Sequence, residues 1–139
     1  MRTFILDTGP LVAYLDEADP FHSSVAACFG DVSGMLCSTS AVITEAMHLL
    51  EDDRDGPRRL AELTAAAEVH IFESTQPNHL FAAAALMAKY SNVPMDFADA
   101  TLVLLGDEIG VNEIITLDRR GFSTYRTAKG RSFSVTPKR

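Results

Sequence analysis

This sequence lacks several features that would each point to a particular class of protein. Its 139 residues include only two cysteines, Cys28 and Cys37, and both lie close to apolar residues. Such cysteines are typical of small core side chains rather than of a disulfide framework. No apolar run approaches the roughly 20 residues that a membrane-spanning helix needs. The first residues carry no signal-peptide pattern, so we expect a cytoplasmic protein that makes no membrane contact.

Acidic residues are absent from one end of the chain. Residues 1–118 carry all 19 Asp and Glu with five Lys and Arg, whereas residues 119–139 carry seven Lys and Arg and no acid. A basic end on an acidic chain favours contact with a polyanion at that end. A solvated tail explains the same charges equally well, because they are spread too widely to form a compact patch. Charge alone leaves the function open.

Apolar segments of strand type and of helix type alternate along the chain. The predicted strands are Phe4–Leu6, Met35–Ser38, Val69–Phe72 and Ile114–Leu117, with a short fifth at Phe133–Val135. The predicted helices are one that begins at Leu11 and stops near Asp19-Pro20, followed by His22–Phe29, Ala41–Leu50, Arg58–Glu68, His79–Tyr90 and Phe97–Ile109. This order predicts an α/β fold with a central, twisted parallel sheet of about four to five strands and helices on both faces. Because the length suits one core and no linker is visible, we expect residues 1–139 to form a single domain.

The last of these helices begins with two acids. Pro94 cannot continue a helix, Asp96 is a good N-cap, and Gly110 is a natural stop at the other end. Asp99 follows Asp96 by one turn and lies in line with the apolar residues of the helix. A carboxylate in this position is not fully exposed to solvent, and no cation adjoins it in the sequence. The strand that follows ends at Asp118, which we expect to open a basic, glycine-containing turn.

Four acids lie at the boundaries of apolar segments. Asp7 and Asp118 each follow a predicted strand, while Glu45 and Asp99 lie on apolar helices. Ligands of doubly wound sheets bind outside the carboxyl ends of the strands, so we expect these acids at one edge. Grouped carboxylates repel one another unless a cation compensates them. A divalent metal is the simplest compensator, and oxygen ligands favour Mg²⁺ or Mn²⁺. Such a site suits phosphodiester cleavage, with one ion or two.

Each acid also has a purely structural interpretation. Asp96 is expected to cap its helix, and Asp99 is favourable in the first turn because of the helix dipole. Asp7 and Asp118 are common types of residue in turns. Each of these interpretations is reasonable for one acid taken alone. The occurrence of all four acids at apolar boundaries favours a shared site.

Four short motifs carry a resemblance to a known family. They are Asp7-Thr-Gly-Pro-Leu-Val, Thr44-Glu45-Ala46, Asp96-Phe-Ala-Asp99-Ala100 and Thr116-Leu-Asp118-Arg-Arg-Gly-Phe122. Together they resemble the PIN-domain ribonucleases, and most of all the VapC-type toxins of toxin–antitoxin pairs, over nearly the whole chain. The resemblance implies an endoribonuclease that depends on Mg²⁺ or Mn²⁺, cuts structured RNA and is held inactive by a cognate VapB-type antitoxin. It also suggests a homodimer.

The resemblance further implies roles for the acids. Asp7 and Asp99 correspond to the main metal ligands, and Glu45 and Asp118 complete the acidic pocket. Many relatives lack Asp96 in this form, so its role stays open between a helix cap and an outer ligand.

Four other polar residues are candidates for contact with the substrate. Arg119 and Arg120 directly follow Asp118, where they are suited to grip RNA phosphate, although a surface pair in a turn is an equally good interpretation. The hydroxyls of Thr8 and Thr116 are suited to orient a ligand or a water molecule.

Three other classes of protein compete with this interpretation. A phospho-acceptor receiver domain needs adjacent acids after its first strand and a lysine after its last, whereas this chain has Asp7 alone and no such lysine. A haloacid-dehalogenase-type phosphatase needs a second Asp where Gly9 stands. A catalytically silent module of the same fold, which binds RNA or protein, remains the alternative, and the full set of acids argues against it.

Overall fold

The computed structural model describes residues 2–138 and contains a five-stranded sheet and seven helices. The strands are β1 (Arg2–Leu6), β2 (Gly34–Thr39), β3 (His70–Phe72), β4 (Glu113–Ile115) and β5 (Ser134–Thr136). The helices are α1 (Thr8–Leu15), α2 (His22–Asp31), α3 (Ser40–Leu50), α4 (Gly56–Ala66), α5 (Pro77–Lys89), α6 (Phe97–Ile109) and α7 (Arg119–Thr124). The predicted α/β class and the fifth strand are thus confirmed.

The sheet is parallel throughout, in the order β3-β2-β1-β4-β5. The chain first moves outward from β1 to β3 and then returns to the other side of β1 to form β4. Because crossovers between parallel strands are right-handed, the helices before β3 and those after it cover opposite faces of the sheet. The reversal leaves a crevice at the carboxyl ends of β1 and β4, where such sheets bind ligands.

The core lies on both faces of the central strands. Ile5 and Leu6 of β1 are completely or almost completely buried, as are Ile114 and Ile115 of β4. Continuous apolar segments of this kind are what a parallel strand covered on both faces requires. Each such side chain contributes about 1.5–3 kcal/mol when it is fully buried. The central strands therefore give the crevice a rigid floor.

Helix α6 has the bounds that the sequence predicted. Its N-cap is Asp96, and Gly110 ends it in the left-handed conformation, with φ of 67°. Seven residues of this helix are buried, including Leu102 and Val103 on the apolar stripe. The cap at its first turn is therefore anchored by packing along most of its length.

Three predicted boundaries were wrong at the edge of the crevice. Residues 8–10 form the first turn of α1 rather than a separate turn, because Asp7 caps the helix and proline is tolerated in a first turn. Strand β4 ends at Ile115, two residues earlier than predicted. The expected basic turn is the short helix α7, which Asp118 caps. The acids that were predicted to end strands therefore begin helices.

Helix α4 also starts earlier than predicted, at Gly56 instead of Arg58, and it ends at Ala66. A β-carbon on Gly56 would lie 2.2 Å from the carbonyl oxygen of Leu50, so the close approach of α3 and α4 requires glycine here. Across residues 2–138, no helix is both long enough and apolar enough to cross a bilayer.

Candidate active site

Six acids line one open depression at the carboxyl edge of the sheet. The depression has a volume of about 490 Å³ and lies at the crevice between β1 and β4. Its acids are Asp7, Asp19, Glu45, Asp96, Asp99 and Asp118, and all of them except Asp19 were predicted from the sequence as site candidates. We call this group the acidic depression.

Asp7 lies at the back of the acidic depression and is only 7% exposed. Its Oδ1 accepts a hydrogen bond from the backbone N–H of Thr8 at 2.7 Å, and its Oδ2 accepts one from the Thr116 hydroxyl at 2.7 Å. Its own N–H donates to the carbonyl of Ile115, which anchors the residue to β4. Burial raises the pKa of Asp7 to about 6, although both hydrogen bonds oppose this shift.

Asp96 and Asp99 hold each other at the start of α6. The N–H of Asp99 donates to Asp96 Oδ1 at 2.8 Å, and the N–H of Asp96 donates back to Asp99 Oδ2 at 3.1 Å. This capping box fixes both side chains at one helix end. Burial raises the pKa of Asp99 to about 8, and the neighbouring charges of Asp7 and Asp96 contribute to the shift.

Glu45 reaches the depression from α3. Thr39 caps this helix, since its hydroxyl oxygen accepts a hydrogen bond from the N–H of Val42 at 3.4 Å. The same hydroxyl lies 2.8 Å from the hydroxyl of Thr101, which ties α3 to α6 inside the core. Burial raises the pKa of Glu45, and the nearby Asp96 raises it further.

Asp118 lies at the exposed rim. Its Oδ1 accepts a hydrogen bond from the N–H of Gly121 at 3.0 Å and so caps α7. Its own N–H donates to the hydroxyl of Thr116 at 3.0 Å. Thr116 is completely buried and thereby connects the backbone of Asp118 to the carboxylate of Asp7. One threonine thus holds two of the acids in a fixed relation.

No basic side chain compensates these charges among residues 2–138. The ion pairs of this part of the chain lie elsewhere, between Arg2 and Glu113, His48 and Glu51, Arg58 and both Asp55 and Glu62, and Arg59 and Asp53. Buried acids that repel each other without a partner reduce stability and are characteristic of functional sites.

The chemistry of the depression suits a divalent cation. Its donors are all oxygens, and the Thr8 hydroxyl is buried there without a hydrogen-bond partner. The raised pKa values of Asp7 and Asp99 show that a positive charge would be favourable at this place. Over residues 2–138, no three His, Cys, Asp or Glu side chains are gathered into a ready-made metal-binding group. The types of donor atom in the depression therefore suit such an ion, although the donors do not form a complete ligand shell.

The two predicted arginines lie outside this depression. The guanidinium group of Arg119 donates to the carbonyl of Pro137, and Arg120 is exposed on α7. Two further basic residues of the carboxyl-terminal segment bind carbonyl groups: Arg126 those of residues 123–125, and Arg131 that of Gly110. Arg119, Arg126 and Arg131 therefore bind backbone carbonyls of this end of the chain.

Two residues near these acids were not predicted from the sequence. Asp19 also lines the acidic depression, but its Asp-Pro context was interpreted only as the end of a helix. Tyr125 is completely buried behind the depression, and its hydroxyl donates to the carbonyl of Pro94. Burial, followed by the charges of the acids, raises the pKa of Tyr125, so its hydroxyl stays protonated. The sequence held no signal for this long-range contact.

Comparison with known proteins agrees with this geometry. The model of the PIN domain family matches residues 4–128. The chain is 32% identical to Ribonuclease VapC26 of Mycobacterium tuberculosis over 134 residues, which cover 96% of this chain and 99% of that protein. Its fold is similar to the crystal structure of M. tuberculosis VapC20, described as a sarcin-ricin loop cleaving toxin, with a TM-score of 0.68 and 18% identity. That match covers 80% of this chain and 86% of the other.

These matches remove the receiver-like and phosphatase alternatives and confirm the resemblance seen in the four motifs. The chain belongs to the PIN domain family and is a relative of the VapC ribonucleases.

Proposed function

We propose that this chain cleaves RNA phosphodiester bonds at the acidic depression as a Mg²⁺- or Mn²⁺-dependent endoribonuclease. Membership of the PIN domain family and the relation to Ribonuclease VapC26 support the endoribonuclease activity. One observation carries the location of the site: the buried Asp7 and the half-buried Asp99 lie together with raised pKa values and no basic partner. Such a place favours a divalent ion over any other occupant.

Asp7 and Asp99 are the principal metal ligands in this proposal, and Glu45 and Asp118 complete the pocket. A bound divalent ion would offset the charge that develops on the phosphate and would make a bound water more acidic. Thr116 keeps Asp7 oriented through its buried hydroxyl, in the manner of residues that support metal ligands. Asp96 serves first as the cap of α6, and it acts on the metal only as an outer ligand.

Substrate contacts would surround this centre. The buried Thr8 hydroxyl lies beside Glu45, whose pKa it lowers, and it suits a contact with a phosphate oxygen or a water at the same place. Arg120 is exposed on α7 and suits a contact with an RNA phosphate, which would position the strand without reading its sequence. Arg119 donates to the carbonyl of Pro137, so it would attract RNA by its charge rather than by a direct hydrogen bond to phosphate.

The same proposal includes partners. A VapC-type toxin requires a cognate VapB-type antitoxin that silences it, and its RNA target places the protein in the cytoplasm. A homodimer is supported by exposed apolar side chains on α5 and on the edge strand β3, where Phe81 is 80%, Leu80 46% and Ile71 44% exposed. Light scattering of wild type and Phe81→Glu is expected to show a dimer and a monomer, respectively.

The enzymatic activity has a direct test. The protein, purified free of any partner, is incubated with total RNA and Mn²⁺, with and without EDTA. Discrete cleavage is expected, and EDTA, Asp7→Asn or Asp99→Asn is expected to abolish it. Glu113→Gln is the matched control, because it neutralises an acid at the opposite end of the sheet and is expected to stay active. A folded wild-type protein that cuts no RNA with any divalent metal would refute the proposal.

The second candidate is a catalytically silent PIN module that binds RNA or protein. It is favoured by one observation, the lack of a ready-made metal-binding group within residues 2–138. The cleavage experiment distinguishes the two candidates, because a silent module would leave RNA intact in the presence of Mn²⁺. If it binds RNA, it would still retain RNA in a binding assay.

A further inference from the structure

The acidic depression is assembled from several separate elements of the chain. Helix α6 brings Asp96 and Asp99, whereas helix α7 brings Asp118. The segment before α6, residues 93–96, has no regular secondary structure. Its backbone is bonded to α6 through the capping box of Asp96 and to Tyr90 through the N–H of Val93, and neither of these contacts reaches α7. Another contact has to determine how the start of α6 lies relative to α7.

Tyr125 makes that contact. It follows the last residue of α7 and is completely buried. Its hydroxyl donates to the carbonyl of Pro94 at 2.7 Å and lies 3.5 Å from the carbonyl of Val93. Pro94 has no N–H of its own, so this carbonyl is the polar group by which the backbone of Pro94 can be held. The tyrosine thereby joins α7 to the residues that lead into Asp96.

The ring of Tyr125 is held in place by packing, in addition to the hydrogen bond that its hydroxyl makes. The ring packs edge-on against Phe122 and Tyr90, with centroids 5.1 Å away in both cases. A β-carbon on Gly121 would lie 2.3 Å from Asp118 Oδ2 and 3.0 Å from Tyr125 Cε2. The carboxylate of Asp118 and the ring of Tyr125 therefore both pack against Gly121, in the space that a larger residue would need for its side chain.

We propose that Tyr125 is a positioning residue that sets the separation between Asp118 and the Asp96–Asp99 pair, and so prepares the acidic depression for a divalent ion. The inference rests on the proposed function of this site. The acids repel each other and would spread apart in the absence of a metal, and the hydrogen bond to Pro94 opposes that movement. The tyrosine contacts neither RNA nor the metal; it acts through the backbone before α6.

The test uses Tyr125→Phe in the full chain. This variant keeps the ring and removes only the hydroxyl, so the aromatic packing is preserved. Tyr90→Phe is the matched control, since it removes the neighbouring, half-buried hydroxyl, which accepts a hydrogen bond from the N–H of Arg126 at 3.0 Å. Calorimetric titration with Mn²⁺ is expected to show about tenfold weaker binding in Tyr125→Phe, in the range for residues that orient metal ligands. Tyr90→Phe is expected to bind as wild type does, and kcat at saturating Mn²⁺ to stay nearly unchanged in both.

A second measurement needs no metal. In hydrogen–deuterium exchange, the amides of residues 95–99 are expected to exchange faster in Tyr125→Phe than in wild type, and at the wild-type rate in Tyr90→Phe. Equal exchange in all three proteins would overturn the inference, as would equal Mn²⁺ affinity in Tyr125→Phe and wild type. If wild type binds no Mn²⁺, the proposed function fails, and the exchange experiment still decides whether Tyr125 holds this segment.

Discussion

The two ends of the β1–β4 strand pair carry acids in opposite situations. At the amino end, Glu113 accepts two hydrogen bonds from the guanidinium group of Arg2, at 2.5 and 3.2 Å, and this pairing lowers its pKa. At the carboxyl end, Asp7 is buried beside Asp99 without a cation, and burial raises the pKa of both. Folding stability alone would favour the first arrangement at both ends. The unpaired acids at the carboxyl end are therefore best explained by a role in binding a ligand.

The largest effect is expected when an acid at the carboxyl end is neutralised, in contrast to the same change at the amino end. Asp99→Asn removes a proposed metal ligand, and a loss of about 1,000-fold in cleavage rate is expected, because ligand removal costs several kcal/mol of transition-state stabilisation. Glu113→Gln makes the same chemical change at the amino end and is expected to retain the wild-type rate. Initial rates at saturating Mn²⁺ measure both. Equal losses in the two variants would mean that the two ends do not differ in function.

A smaller effect is expected from the residue that supports Asp7. Thr116→Val removes the hydroxyl that donates to Asp7 Oδ2, and about a tenfold loss of activity is expected, as for other residues that orient metal ligands. Since this hydrogen bond lowers the pKa of Asp7, its loss also shifts the acidic limb of the pH–rate profile to higher pH. Thr127→Val is the control, because that hydroxyl is also buried but accepts a hydrogen bond from the N–H of Arg131 instead. A profile that does not move in Thr116→Val would argue against the role given to this threonine.

The stability of the metal-free protein is expected to depend on pH in a characteristic direction. Asp7 and Asp99 bind protons more tightly in the folded state, with pKa values near 6 and 8 against about 3.8 for the ordinary group. Their contribution is complete below pH 4 and is lost as pH rises, through about 6 for Asp7 and about 8 for Asp99. The loss from Asp7 is on the order of 2–3 kcal/mol.

Thermal unfolding in EDTA at pH 5, 6.5 and 8 measures this dependence. Tm is expected to fall from pH 5 to pH 8 in wild type, to fall less in Asp99→Asn, and to recover at pH 8 when Mn²⁺ is added. A Tm that rises over this range in EDTA would contradict the assignment of raised pKa values to these acids.

The smallest effect is expected at the amino end. Arg2→Gln removes an ion pair in which Arg2 is largely exposed, and such pairs contribute little because water and salt screen them. We expect a Tm within about 2 °C of wild type and unchanged cleavage. A strong loss of activity in this variant would connect the two ends of the strand pair and remove the contrast between them.

The sequence was sufficient to predict the sheet and five of the six acids that line the depression. The apolar strands and the two ends of α6 are local features. Runs of apolar residues predict the strands, and Asp96 and Gly110 mark where α6 begins and ends. The short helix α7 was missed because six residues that include a glycine have little helical tendency of their own. Its stability comes from the Asp118 cap and from buried Phe122, and the second of these needs the whole fold.

The raised pKa values of the site could also not be predicted from the sequence. The motifs named Asp7 and Asp99, but their raised pKa values result from burial by distant elements. Likewise, the hydrogen bond from Tyr125 to Pro94 joins residues 31 positions apart. Contacts of this kind depend on how α6 and α7 meet, which no local pattern encodes.

The central claim is that the unpaired acids at the carboxyl end bind a divalent ion. Calorimetric titration of Mn²⁺ into the metal-free protein at pH 7, in buffers of different ionisation enthalpy, tests it most directly. With pKa values near 6 for Asp7 and 8 for Asp99, binding is expected to release about one proton per ion. Asp99→Asn is expected to bind more weakly and release far less, and Glu113→Gln to match wild type. Absence of binding, or binding without proton release that Asp99→Asn leaves unchanged, would contradict the claim.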